Sequence, residues 1–154
     1  MIKVMFVCHG NICRSPMAEF ILKDIIKKRG LEDKFIISSS ATSTEEIGNP
    51  VHPGTRKKLS SFNINTSGKK AVQITKSDYE KYDYIFLMDN NNIRNIKRII
   101  DSDPYNKICR FLDITNNPRD IADPWYTGNF DETYNDILEG CTAFIEKLES
   151  ENII

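Results

Sequence analysis

Long hydrophobic runs are missing from this chain of 154 residues. Nothing in it approaches the roughly 18–20 apolar residues that a bilayer-crossing helix needs, so no membrane role is expected. Histidine is scarce, with only His9 and His52, and the four cysteines (Cys8, Cys13, Cys109 and Cys141) include no Cys-x-x-Cys pair. That pattern argues against a zinc site, and no metal is expected. A chain this long buries enough surface to need no disulfide staples. The stretch Met1–Cys8 is too short for a secretory leader and no small-residue cleavage site follows it. Together with sparse cysteine, this points to a cytoplasmic protein with reduced thiols. Neither sign of charge dominates: 21 Lys and Arg stand against 22 Asp and Glu. A global cationic face for nucleic acid is therefore not expected. Repeats, low-complexity tracts and linkers are also lacking, so residues 1–154 read as a single domain, expected to be monomeric.

What the chain does contain is alternation of strand and helix patterns. Ile2–Val7 is nearly continuous in apolar residues, as in strands buried on both faces of a parallel sheet. Pro16 suits the first turn of a helix, whose apolar positions Met17, Ala18, Phe20, Ile21, Ile25 and Ile26 recur at helical spacing until Gly30. Further strands are expected at Phe35–Ile37, Tyr84–Met88 and, more weakly, Lys107–Leu112. Asn49–Gly54 reads as a turn ahead of a short helix at Thr55–Phe62, and Thr75 with Asp78 as a capping box opening a helix to about Tyr82. Asp89 can cap a helix that turns Ile93, Ile96, Ile99 and Ile100 inward. Asn129 with Glu132 can cap a final helix running through Leu148. The class is α/β: a four-stranded parallel sheet flanked by helices on both faces. Ligands in such folds sit at the carboxyl ends of the strands. The Cys8–Ser15 turn lies there, and so does the long connection Asp113–Asn129.

That first turn carries the chemistry. Cys8 ends a strand, and Arg14 follows six positions later as a helix begins. A helix start presents free N–H groups and the positive end of its dipole to an anion. Gly10 and Asn11 tolerate left-handed backbone, which lets the N–H groups of His9, Gly10, Asn11, Ile12, Cys13, Arg14 and Ser15 converge into one nest. Arg14 adds a planar fork that matches two phosphate oxygens. A strand-ending cysteine is more often a small buried hydrophobe. In this setting, however, a thiol is acidified and becomes a nucleophile at the floor of a phosphate-sized cup. Ser15 can donate a hydrogen bond to its sulfur.

Cys8–Pro16 resembles the phosphate loop of the low-molecular-weight protein tyrosine phosphatases. Ser39–Ser43, Glu46–Pro50, Gln73–Thr75, Phe86–Asp89 and Asp123–Tyr126 resemble further blocks of that family, in order. The resemblance implies hydrolysis of phosphotyrosine through a phosphocysteine on Cys8, with no cofactor. The expected partners are phosphotyrosine proteins, with inorganic phosphate as product and inhibitor. It implies that Arg14 and the loop amides hold the phosphoryl oxygens, that Asp123 is the general acid, and that Asn11, Ser15 and Ser39 support the loop. Glu45, Trp125 and Tyr126 are the implied pocket wall, and Cys13 the partner of a reversible disulfide with Cys8. Three positions depart from the family pattern: His9, Glu45 (often aromatic) and Lys69 (usually histidine), which leaves substrate preference open. Two related enzymes share the loop. An arsenate reductase needs further cysteines, and Tyr82–Ile100 has none. A phosphoarginine phosphatase carries threonine where this chain has Ile12. A phosphate-binding module would keep the cup but would not need both Cys8 and Asp123.

Overall fold

The computed structural model describes residues 1–154. Strand β1 (Ile2–Cys8) leads through the turn at residues 9–13 into helix α1 (Arg14–Lys28), and β2 (Phe35–Ala41) follows. After α2 (Pro53–Ser60) and α3 (Asp78–Lys81) come β3 (Tyr84–Leu87), α4 (Asn90–Ile96) and β4 (Ile108–Arg110). The chain closes with α5 (Pro124–Thr127) and α6 (Phe130–Ser150). All strands are parallel, in the order β2-β1-β3-β4. That order makes β1 an interior strand, which accounts for its unbroken burial from Val4 to Cys8.

Alternation along β1 divides the core in two. Val4 and Phe6 join Met17, Ile21, Leu22, Phe86, Phe111, Ile137, Phe144 and Leu148 beneath α1 and α6. Met5 and Val7 face the other way, onto Ile74, Tyr79, Ile85, Leu87, Ile96 and Ile100 under α3 and α4. Helices thus cover both faces, as expected. Helix α1 is followed, after its cap residue Arg29, by Gly30, whose φ of +69° is the left-handed stop that glycine supplies without penalty.

Several boundaries differ from the sequence expectation. β2 runs on through the polar Ser38–Ala41, because those residues pair with Met5–Cys8 of an interior strand and satisfy their backbone groups there. β4 keeps only Ile108–Arg110; Phe111 and Leu112 are buried but lie in a 3-10 turn. Helix α2 starts at Pro53 rather than Thr55, capped by His52 Nδ1 accepting the Gly54 N–H at 3.0 Å. Helix α3 is a single turn, and α4 stops at Ile96, so Ile93 and Ile99 are only half-buried. The caps expected at Asp89 and Asn129 form, their side chains accepting the Asn92 and Glu132 N–H groups at 2.8 and 3.0 Å. The box at Thr75/Asp78 forms only by half: Asp78 accepts the Thr75 N–H at 2.8 Å, but Thr75 Oγ1 pairs with Ser77 Oγ and α3 starts at Asp78 after an uncapped Ser77.

Gly140 of α6 lies against the buried Phe111 ring: a Cβ there would sit 2.4 Å from Phe111 Cε2. Gly140→Ala is therefore expected to cost about 1–3 kcal/mol by overpacking. Each kcal/mol should lower Tm by about 2–4 °C in a chain of this size. An unchanged melting curve would show that the ring moves aside freely.

Candidate active site

Each strand of the sheet delivers part of the site at its carboxyl end. Cys8 terminates β1, Ser39 and Ser40 lie near the end of β2, Asp89 follows β3, and the connection after β4 brings Asp123. The cleft above these ends is lined by Cys8, His9, Gly10, Ile12, Cys13, Arg14, Glu45, Glu46, Asp123, Trp125 and Tyr126. Every residue expected at the phosphate cup or its wall is therefore there or directly behind it. Asn11, Ser15 and Ser39 form the layer behind, each at most 1% exposed.

The Cys8 sulfur lies at the floor of the cup, among donors. Asn11 N–H donates to Sγ at 3.3 Å, and Ser15 Oγ lies 3.0 Å away. Ser15 also accepts from Asn11 Nδ2 at 2.8 Å, so its single proton can go only to the sulfur or to the Ser40 carbonyl at 3.3 Å. Asn11 has φ +60°, a left-handed conformation that costs a non-glycine residue on the order of 1–3 kcal/mol. Its amide offsets that cost. Nδ2 donates to Ser39 Oγ as well as Ser15, and Oδ1 accepts the Val72 N–H at 3.1 Å.

Behind Ser39 lies a charge cluster around the buried Glu19. Ser39 Oγ donates to Glu19 Oε1 at 2.6 Å, while Lys23 donates to Glu19 Oε2 at 2.5 Å. Lys69 Nζ donates to the Ser39 carbonyl at 2.8 Å and stands 3.7 Å from Glu19. Burial and the nearby Lys23 cation lower the Lys69 pKa, opposed by Glu19 and Cys8. The carboxylate fixes which way the Ser39 hydroxyl points. That leaves the Ser39 lone pair for Asn11, and a polar chain runs unbroken from Glu19 to the sulfur.

Arg14, with its side chain 3% exposed, spans the two acids. Nη1 donates to Asp89 Oδ2 at 2.6 Å and to the Ile121 carbonyl at 2.8 Å; Nη2 faces Asp123 Oδ2 at 3.4 Å. Burial opposes the cation, but Cys8, Asp123 and Asp89 outweigh it and raise its pKa. Asp123 caps α5, its Oδ1 accepting the Trp125 N–H at 3.1 Å. Trp125 and Tyr126 are exposed, and Trp125 packs edge-on against His52 with ring centres 5.6 Å apart. Cys13 is buried in the same loop; burial, reinforced by Cys8 and Asp123, pushes its thiol up to about 12. Cys141 is a core thiol, while Cys109 is only half-buried. No three His, Cys, Asp or Glu side chains are grouped to hold a metal ion, and no helix is long and apolar enough to cross a membrane.

Sequence reasoning missed part of this machinery. Asp89 was legible only as a helix cap, yet the same carboxylate grips Arg14. Its position just past an apolar strand, like that of Cys8, was the available signal. Glu19 lies four residues after Ser15, on the same helical face and within an otherwise apolar stripe, which marks it as a buried acid with a partner. Glu46 belongs to the cleft wall beside Glu45.

A thiol flanked by donors, an arginine on the same loop and a carboxylate across the cleft, set at the strand ends of a doubly covered sheet, define a cysteine-based phosphomonoester hydrolase. The family model of low molecular weight phosphotyrosine protein phosphatases matches residues 3–153, and the chain belongs to that family. The low molecular weight protein-tyrosine-phosphatase YfkJ of Bacillus subtilis is 40% identical over 153 residues, 98% of either chain. Its crystal structure matches with a TM-score of 0.93 over 98% of this chain and 96% of that one. SP-PTP of Streptococcus pyogenes, at 42% identity, gives 0.85 over 96% and 93%. A Drosophila arginine phosphatase, at 30% identity, also gives 0.85, over 95% and 97%.

Proposed function

We propose that the protein hydrolyses phosphotyrosine in protein substrates through a phosphocysteine on Cys8. The observation that carries this is the Cys8 sulfur, which accepts the Asn11 N–H and faces the Ser15 hydroxyl beneath a cup whose opposite side holds Asp123. Substrate phosphate enters with its oxygens on the loop N–H groups and on Arg14. Of five guanidinium N–H groups, the contacts to Asp89, Ile121 and Asp123 occupy three, which leaves two for the phosphoryl oxygens. The Cys8 thiolate attacks phosphorus, an S–P bond forms, and the P–O bond to the ring breaks as Asp123 gives its proton to the departing phenolate. Water then attacks phosphocysteine with Asp123 taking its proton; Ser15 donates to the sulfur as it leaves. Phosphate, the product, occupies the same cup and is a competitive inhibitor.

No cofactor enters this sequence of steps. Glu45, Trp125 and Tyr126 are the walls that receive the aryl ring and its peptide, and the buried Cys13 is the thiol that resolves an oxidised Cys8 as a disulfide. The working form is a cytoplasmic monomer, a single domain over 1–154. Ile12 lines the cleft with an apolar side chain, which favours an aryl over a guanidino phosphate. The test is turnover of matched phosphotyrosine, phosphoserine and phosphoarginine peptides. Phosphotyrosine is expected to exceed both others by about 100-fold in kcat/KM, since only it fills the aryl walls. Faster release from phosphoarginine would transfer the assignment to that class.

A further inference from the structure

The mouth of the cleft has an unexpected sign of charge for a site that takes phosphate dianions. Among its lining residues Glu45, Glu46 and Asp123 are carboxylates, and Arg14 is the one Lys or Arg. Arg14 lies at the floor, tied to Asp89 and Asp123, and offers nothing at the rim. Glu45, with its side chain 68% exposed, is held in place at the rim. His9 Nε2 contacts its Oε2 at 3.0 Å, and its own N–H donates to Ser43 Oγ at 3.4 Å. Ser43 in turn donates to the His9 carbonyl through Oγ at 2.8 Å and through N–H at 3.1 Å. This lacing ties the rim segment to the phosphate loop and leaves Glu45 Oε1 without a partner. Glu46 lies against Gly10, where a Cβ would come within 3.3 Å of Glu46 Cγ, and its Oε2 accepts from Asn49 Nδ2 at 2.5 Å. Its Oε1 is likewise unpartnered.

From this geometry we infer that Glu45 and Glu46 are specificity-determining residues, which select phosphotyrosine flanked by lysine or arginine and disfavour acidic flanks. The inference rests on the phosphotyrosine reading above. Rim repulsion of the phosphate dianion itself is common to all substrates and drops out of any comparison between them. The flanking side chains do not: the peptide leaves the cup between the Glu45/Glu46 wall and the Trp125/Tyr126 wall. Charges there interact within a screening length of about 8–10 Å at ordinary salt. Exposed ion pairs of this kind shift affinity by between about 1.5- and 5-fold each. Two carboxylates acting on two flanking positions make roughly tenfold between a basic and an acidic peptide.

The test compares kcat/KM for three peptides of equal length, with phosphotyrosine between lysines, alanines or glutamates, on the wild-type protein and on Glu45→Gln/Glu46→Gln. The order basic, neutral, acidic is expected, spanning about tenfold near 20 mM salt and shrinking to about twofold near 0.5 M. In the double variant the span should fall to twofold or less even at low salt. Equal rates on all three peptides, or an acidic preference, overturn the inference and leave the phosphatase reading standing. A basic preference that survives in the double variant assigns it to the aromatic wall instead, and also overturns it. Failure to hydrolyse any of the three would sink the phosphotyrosine reading itself.

Discussion

Cys8→Ser is expected to lower kcat for aryl phosphates by on the order of 10⁵-fold, because an alcohol in place of the thiolate leaves the cup without a nucleophile. The rest of the cup should persist. Arg14 keeps its contacts to Asp89 and the Ile121 carbonyl, and the loop is held from behind by Asn11, Ser15 and Ser39. None of those contacts uses the sulfur as its only partner. Phosphate should therefore still bind the variant and raise its Tm with the logarithm of ligand concentration above Kd, as any ligand of the native state does. Steady-state assays and a phosphate titration by thermal melting separate the two effects. Residual turnover above about 1% of wild type would mean that the sulfur does not attack phosphorus. Loss of phosphate binding along with turnover would mean instead that Cys8 holds the loop together.

Asp123→Asn should slow hydrolysis of phenyl phosphate by about 10²–10⁴-fold, the usual contribution of a positioned acid. Asparagine preserves the fold around it. Its Oδ1 still accepts the Trp125 N–H that Asp123 now takes at 3.1 Å, so α5 stays capped. Only the proton and the charge facing Arg14 are lost. The deficit should shrink with a less basic leaving group such as p-nitrophenolate, which departs with less need of a proton. A uniform loss across leaving groups would reassign Asp123 to binding, and wild-type rates would remove it from the mechanism.

How far the sequence reached depended on whether a residue's role was local. Cys8, Gly10, Asn11, Arg14 and Ser15 were legible because one turn brings them together and the helix start dictates where their N–H groups point, although the partners that hold Asn11 and Arg14 lie 28 to 109 positions away. The long β2 was not, since Ser38–Ala41 have no strand propensity of their own and become a strand only by pairing with Met5–Cys8. The same holds for Glu19, whose meaning depends on Ser39, twenty positions later, and on Lys23 and Lys69. Asp89 carries two roles on one carboxylate: the cap is written next to it, at Asn92, while the grip on Arg14 spans 75 positions. Short-range chemistry shows in a string of letters, and long-range electrostatics needs coordinates.

The delivery of the site by separate strand ends has a consequence for how such an enzyme diversifies. Cys8, Arg14 and Asp123, the proposed nucleophile, phosphate-binding arginine and acid, are anchored to β1, α1 and the connection after β4, whereas the rim residues 43–48 ride on a different surface segment, laced to the rest mainly through His9. If Glu45 and Glu46 select targets as inferred, a transplanted rim of equal length should redirect the enzyme to new targets while its turnover of phenyl phosphate stays unchanged.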